Sequence, residues 1–163
     1  RINENLMPNF HYDDLFGTVV NRFLIQAIAG IPLTVYGKGG QTRGYLNLKD
    51  TLQCVELAAL NSPASGELKI YNQLTETFTV NALAEKIKLA GENIGLAVEI
   101  KNIENPRKEK ENHYYNPAST GLIDLGLKPH LLTEDVVEGM LRYLSEKKQN
   151  IKVRRILPRV KWS

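Results

Sequence analysis

The sequence predicts an α/β chain, α+β when taken by itself, on three observations. Apolar runs of helical period recur along it, short extended runs lie between them, and glycine, proline and capping residues punctuate the junctions. The strands are too few and too scattered to build an independent parallel sheet. A length of 163 residues is enough for one domain with a sizeable core. No internal repeat or low-complexity tract divides it, so residues 1–163 are expected to form a single domain with a basic tail at 151–163.

The first helix is predicted over residues 15–29. Leu15, Val19, Phe23 and Ala27 recur at spacings of four, with Phe16, Val20 and Leu24 on the adjoining row. Asp13 or Asp14 can cap its start, and Gly30 before Ile31-Pro32 ends it. Residues 33–36 read as a short strand, 37–40 as a glycine turn, and 44–48 as resumed extended structure. Asp50 can cap a second helix to Leu60, and 61–66 is a loop by composition. A strand is expected at 68–72, with Phe78 extending a neighbouring edge. Thr79 can cap a helix running to about Ala90, and 97–103 alternates as a strand does. Residues 105–116 are polar and read as an ordered surface loop. Pro117 suits the first turn of a short helix closed by Gly126. Thr133, with Glu134 and Asp135 behind it, opens a last long helix whose closing lysines favour its dipole. In the basic tail, Ile156, Leu157, Val160 and Trp162 are expected to pack back on the body.

Composition narrows the function classes. The hydrophobic and charged shares, 42% and 24%, are those of an ordinary globular protein, and the net charge is only +3. Lys and Arg are interspersed with acids except in the last dozen residues, so a solvated mixed surface, not a nucleic-acid face, is predicted. Cys54 is the only cysteine, which leaves no intramolecular disulfide and predicts a small buried core residue. No apolar run approaches the roughly 18 residues of a membrane span. His11, His113 and His130 lack ligand spacing, so no metal site is expected. The chain opens Arg1-Ile2-Asn3-Glu4 in loop-like sequence without an initiator Met, and natural residues are expected to precede it.

The stretch from Leu33 to Asp50 carries the most chemistry. Gly37, Gly39 and Gly40 let the backbone turn sharply and approach a ligand, and Gln41, Thr42 and Arg43 follow with amide, hydroxyl and guanidinium groups. It is neither a P-loop nor a dinucleotide fingerprint, because no GxxxxGK[ST] or GxGxxG occurs. Taken alone, it is equally a hairpin turn with an exposed arginine. Asn105-Pro106-Arg107-Lys108 forms a second cationic cluster, yet Glu109 and Glu111 beside it also suit a self-neutralising solvated run.

With these residues in view, the sequence resembles the carboxy-terminal half of the extended short-chain dehydrogenases that act on nucleotide sugars, the NAD-dependent epimerase/dehydratase family. Gly30-Ile31-Pro32-Leu33-Thr34-Val35-Tyr36-Gly37, Gln41-Thr42-Arg43-Gly44-Tyr45 and Asp50 carry the likeness. Most epimerases have Asp after that arginine, and Gly44 stands there instead. The departure points to the UDP-sulfoquinovose synthase branch. The blocks Phe16-Gly17-Thr18, Asn21-Arg22-Phe23, Leu33 through Leu46, Asn105-Pro106-Arg107, His113-Tyr114-Tyr115-Asn116, Leu157-Pro158 and Trp162 are all similar to it.

The resemblance implies a nucleotide-sugar-binding domain. Arg43 and Arg107 match two arginines that grip the diphosphate, and Val35 with Tyr36 matches the strand beside the uracil. Gln41 matches a polar contact near the nucleotide. Thr18 and Asn21 sit on the helix facing the ligand, and His113 is assigned to the substrate side. The implied substrates are UDP-glucose and sulfite or a sulfite donor. Oxidation at the sugar's C4 acidifies the C5 proton, C6 loses its hydroxyl, sulfite adds, and the hydride returns. NAD and a catalytic Tyr-x-x-x-Lys pair with a Thr are expected in an amino-terminal Rossmann half that this chain lacks, so no catalytic residue is assigned here. That half also carries the implied homodimer contact. The expected compartment is cytoplasmic, or the plastid stroma in a photosynthetic eukaryote. A UDP-sugar 4-epimerase or dehydratase fragment, and a non-catalytic binding module, are the alternative readings.

Overall fold

The computed structural model describes residues 10–13, 16–105 and 121–156. Helix α1 spans Val19–Ala29. Its cap is Thr18, whose hydroxyl accepts from the Asn21 N–H at 3.2 Å. The helix thus begins four residues later than the apolar period suggested, because the carboxylate of Asp13 is used in the preceding turn, where it accepts from the Phe16 N–H at 2.9 Å. Its end is as expected: Gly30 sits in the left-handed region at φ 72°, a conformation that favours glycine.

Strand β1, Leu33–Tyr36, follows, and then β2, Thr42–Tyr45. They do not form a hairpin. β1 pairs in parallel with β4, Ile100–Ile103, from Leu33↔Ile100 to Tyr36↔Ile103. β2 pairs antiparallel with β3, Glu76–Thr79, from Thr42↔Thr79 to Tyr45↔Glu76. The glycine turn is therefore a bridge between two sheets, and the hairpin alternative is corrected.

Helix α2 spans Leu48–Leu60 and is capped by Asn47, not Asp50. Helix α3 is Val80–Asn93, capped by Thr79 as expected. The short α4 is Gly121–Asp124, and α5 is Glu134–Glu146, capped by Thr133. Two 3₁₀ turns, Lys148–Asn150 and Val153–Arg155, lead to the end of the described chain.

The core lies where α1, α3 and α5 meet beneath β1. Phe23, Leu24, Ile28, Leu33, Val35, Leu83, Ile87, Val137 and Leu141 are all fully or almost fully buried there. Ile156 joins them, so the first apolar residue of the tail packs on the body as expected. Leu157, Val160 and Trp162 lie outside the described residues.

Two expectations fail around α2. Residues 68–72 are not a strand but an irregular, largely exposed segment, with Leu68 at 83% and Ile70 at 73% exposure. None of the four described strands pairs with it, so no ladder fixes a strand there, and its exposed backbone is open to water. Cys54 is half-buried, not a core residue, because the apolar side of α2 has little packed against it among the described residues.

Candidate functional site

The site grows from the way α1 is bonded to the edge of β1. Thr34 gives its N–H to Gln26 Oε1 at 3.1 Å and accepts from Gln26 Nε2 on its hydroxyl at 2.8 Å. Arg22, one helical turn earlier, donates to the Thr34 carbonyl at 3.1 Å. Leu33 N–H and Gly37 N–H bond instead to Glu99 and Ile103 on the β4 side. β1 thus has one edge in a strand ladder and the other occupied by side chains at Thr34. Tyr36 closes the strand on that second edge, its carbonyl accepting from Gln41 Nε2 at 3.3 Å.

The glycine turn is held from outside. Asn102 on β4 donates to the Gly37 carbonyl at 2.8 Å, and Asn81 on α3 donates to the Lys38 carbonyl at 2.9 Å. The backbone N–H groups of Val80 and Asn81, at the start of α3, reach the carbonyls of Gln41 and Gly39. Gly39 has φ 70°, and a Cβ there would overlap the Asn81 side-chain amide. The turn is accordingly a fixed shape that delivers Gln41 and Arg43 to the start of β2.

Several polar atoms are buried without a hydrogen-bond partner among the described residues: Arg22 Nε and Gln41 Oε1, on side chains that both contact Tyr36, and the Tyr45 hydroxyl at the end of β2. Such atoms are costly, and each calls for a bound group or water. Tyr45 packs on Phe78, centroids 5.6 Å apart. Burial raises its phenol pKa above the ordinary value, and the charge of Arg43 pulls it back. Arg43 itself is exposed on β2 and donates to the Thr42 carbonyl at 3.0 Å.

The other expected residues are placed as follows. Thr18 caps α1, and Asn21, a turn before Gln26, donates its side-chain amide to the His11 carbonyl at 2.8 Å. The side chain of Val35 is wholly buried in the core. Arg107 and His113 lie outside the described residues. Arg22, Asn81, Asn102 and Tyr45 were not singled out from sequence as site residues. A cation and an amide four apart on an apolar helix, Arg22 and Gln26, were the available signal.

Asp50, expected as a cap, is bonded to His130 instead. The His130 ring Nδ1 is 2.6 Å from Asp50 Oδ1, and the His130 backbone N–H donates to Asp50 Oδ2 at 2.8 Å. Gln53 donates to Asp50 at 2.9 Å and exchanges bonds with the backbone of Lys128. Asp50 is fully buried in this clasp. Burial and the nearby Asp50 carboxylate raise the Cys54 pKa, which keeps the thiol protonated.

The Tyr-x-x-x-Lys spacing expected only outside this chain does occur twice, at Tyr45/Lys49 and Tyr143/Lys147. The first pair is split between β2 and α2. The second lies at the exposed end of α5, Lys147 sitting 5.8 Å from the Tyr143 ring. Tyr45 closes β2, the strand that follows the glycine turn, whereas Tyr143 lies far from the turn in sequence on α5; neither pair is assigned a catalytic role.

No family model matches the chain. UDP-sulfoquinovose synthase, chloroplastic, of Spinacia oleracea is 49% identical over 161 residues, covering 99% of this chain and 33% of that protein. UDP-sulfoquinovose synthase of Sulfolobus acidocaldarius is 46% identical over 165 residues, covering 99% and 42%. The chain thus spans between a third and about two-fifths of the length of these curated relatives. Among solved structures, the UDP-glucose 4-epimerase of Thermotoga maritima with UDP-glucose aligns with TM-score 0.63 at 22% identity, over 80% of this chain and 40% of that one. The UDP-glucuronic acid 4-epimerase of Bacillus cereus, in complex with UDP-glucuronic acid and NAD, aligns with TM-score 0.59 at 20% identity, over 80% and 40%. These likenesses establish the fold, and the expected α/β class holds. In sequence, nearly the whole chain is similar to one stretch of these two UDP-sulfoquinovose synthases.

Proposed function

We propose that this chain is the UDP-sugar-binding domain of a UDP-sulfoquinovose synthase-type enzyme, which converts UDP-glucose and sulfite to UDP-sulfoquinovose. The observation that carries the reading is the 49% and 46% identity to two such synthases across 99% of the chain. Proteins named UDP-glucuronic acid decarboxylase match less well: 24% over the same span, or 34–35% over 68% of the chain.

In this reading Arg43, with Arg107, holds the diphosphate through paired forked contacts. Tyr36 and the backbone of Val35 border the uracil, and Gln41, Thr18, Asn21 and His113 complete the polar surround. The buried atoms of Gln41 and Arg22 that lack partners among the described residues, on side chains that both contact Tyr36, support a ligand or water beside Tyr36. The chain's own work is to bind and orient: it fixes the nucleotide so that the sugar projects toward the reacting groups.

NAD is the hydride acceptor of the reaction, and the sequence here contains no GxGxxG turn of the kind that cradles it. Its site, the catalytic pair and the homodimer contact are assigned to the part of the relatives that the chain does not span. An apolar stripe on α2 supports a covering partner: Leu48, Leu52, Val55 and Leu60 are 58–75% exposed, near Leu68 and Ile70 in sequence. Among the described residues no helix is long and apolar enough to cross a membrane. A plastid stroma location is proposed from the spinach relative's name, and a cytoplasmic one for sources without plastids.

The test is a product assay on the protein at the length its source makes it, with UDP-glucose and NAD, with and without labelled sulfite. Sulfite-dependent labelling of the nucleotide sugar is expected. Formation of UDP-galactose without sulfite would replace this reading with a 4-epimerase.

A further inference from the structure

Arg22 is the one charged residue in α1, whose other residues apart from Asn21 and Gln26 are apolar. Its guanidinium lies over the Tyr36 ring, 4.2 Å from the centroid, while one Nη holds the Thr34 carbonyl. Gln26 takes the N–H and hydroxyl of the same threonine. Among the described residues no carboxylate forms an ion pair with Arg22, and its Nε has no acceptor. Burial lowers its pKa from the ordinary arginine value, and Tyr36 offsets part of that cost. An aliphatic side chain would pack α1 on β1 without any such penalty. The cation therefore serves something other than packing.

What the guanidinium does is geometric. It covers one face of the Tyr36 ring, so a flat ligand can meet only the other face or the edge. It also fixes the carbonyl at Thr34, two residues before Tyr36 on the same strand edge. We propose that Arg22 is a positioning residue of the nucleotide-base slot, clamping the Tyr36 ring and the Thr34 carbonyl in a preset arrangement for the base of a uridine diphosphate. The inference rests on the UDP-sugar reading of the site. A preset ring spares the ordering that binding would otherwise demand.

The experiment titrates UDP, and separately inorganic pyrophosphate, into the protein at its natural length for wild type, Arg22→Met and Arg22→Lys. Loss of the cation over the ring should weaken UDP binding about tenfold in the Met variant. Pyrophosphate binding should stay within about twofold, since it has no base to place. The Lys variant keeps a cation over the ring but loses the planar fork, and should recover part of the UDP affinity. The tyrosine near-ultraviolet circular dichroism should change in the Met variant and less in the Lys variant. Equal losses for both ligands, or unchanged UDP affinity, would overturn the role. Should the Met variant fail to fold, the Lys variant decides by the same ratio: a UDP-selective loss supports the role, and an equal loss or none removes it. Failure of the wild type to bind UDP at all would instead sink the site reading itself.

Discussion

Helices α1 and α2 have similar lengths, 11 and 13 residues, and both carry apolar side chains at helical spacing, yet they live in opposite surroundings. In α1, Phe23, Leu24, Ile25, Ala27 and Ile28 are buried against β1, α3 and α5. In α2 the one buried residue is Asp50, and the apolar stripe of Leu48, Leu52 and Val55 stands exposed. The first helix is held by its hydrophobic face. The second is anchored at its amino-terminal turn by a polar clasp from residues 128–130. The pair teaches that helical period in a sequence reveals a face but not what covers it.

That contrast can be broken by substitution. Phe23→Ala should cost about 4 kcal/mol of folding stability, because a large, fully buried side chain leaves a cavity at the helix junction. Urea unfolding of the protein measures it. Asp50→Ala should cost about 3 kcal/mol, since the His130 N–H and ring and the Gln53 amide lose their buried acceptor. Hydrogen exchange should show the loss concentrated in α2 and residues 128–132. A loss spread evenly over α1 and α3 would mean that the clasp is not a local anchor.

Gly39→Ala comes next, at about 2 kcal/mol, from the left-handed backbone and the overlap with Asn81. Thermal unfolding reads it, and UDP affinity should fall with it because the turn presents Gln41 and Arg43. The smallest effect belongs to the bare stripe. Leu52→Ala in the 163-residue chain should change stability by less than about 0.5 kcal/mol, as expected for an exposed side chain. A large loss in this chain would show that the stripe is packed in solution.

Much of the buried half was legible in the sequence, and much of the other half was not. Thr79 and Thr133 were readable as caps because a hydroxyl directly before an apolar period has one obvious use, and Gly30 as a stop for the same kind of reason. Asp50 was misread as a cap because its real partner, His130, lies 80 residues away, beyond the reach of local pattern. Strand pairing failed likewise. β1 finds β4 and β2 finds β3, whereas the glycine turn suggested that β1 and β2 would pair with each other. The alternation in residues 68–72 is real, but alternation forms a strand only where an edge is present to bond with. Around the glycine turn, the sequence and the family resemblance pointed to Gln41 and Arg43, which the fold sets just before and on β2. Arg22 was not, because a lone cation on a helix reads as solvent-facing until the ring beneath it is seen.

The central claim, that the turn between β1 and β2 presents a diphosphate-binding arginine, is tested most directly by calorimetric titration of UDP-glucose into the wild-type protein at natural length and its Arg43→Ala variant. The account predicts a loss of about 2–3 kcal/mol of binding free energy, the worth of a charge-assisted forked contact. Equal affinity in the two proteins would contradict it and remove Arg43 from the site.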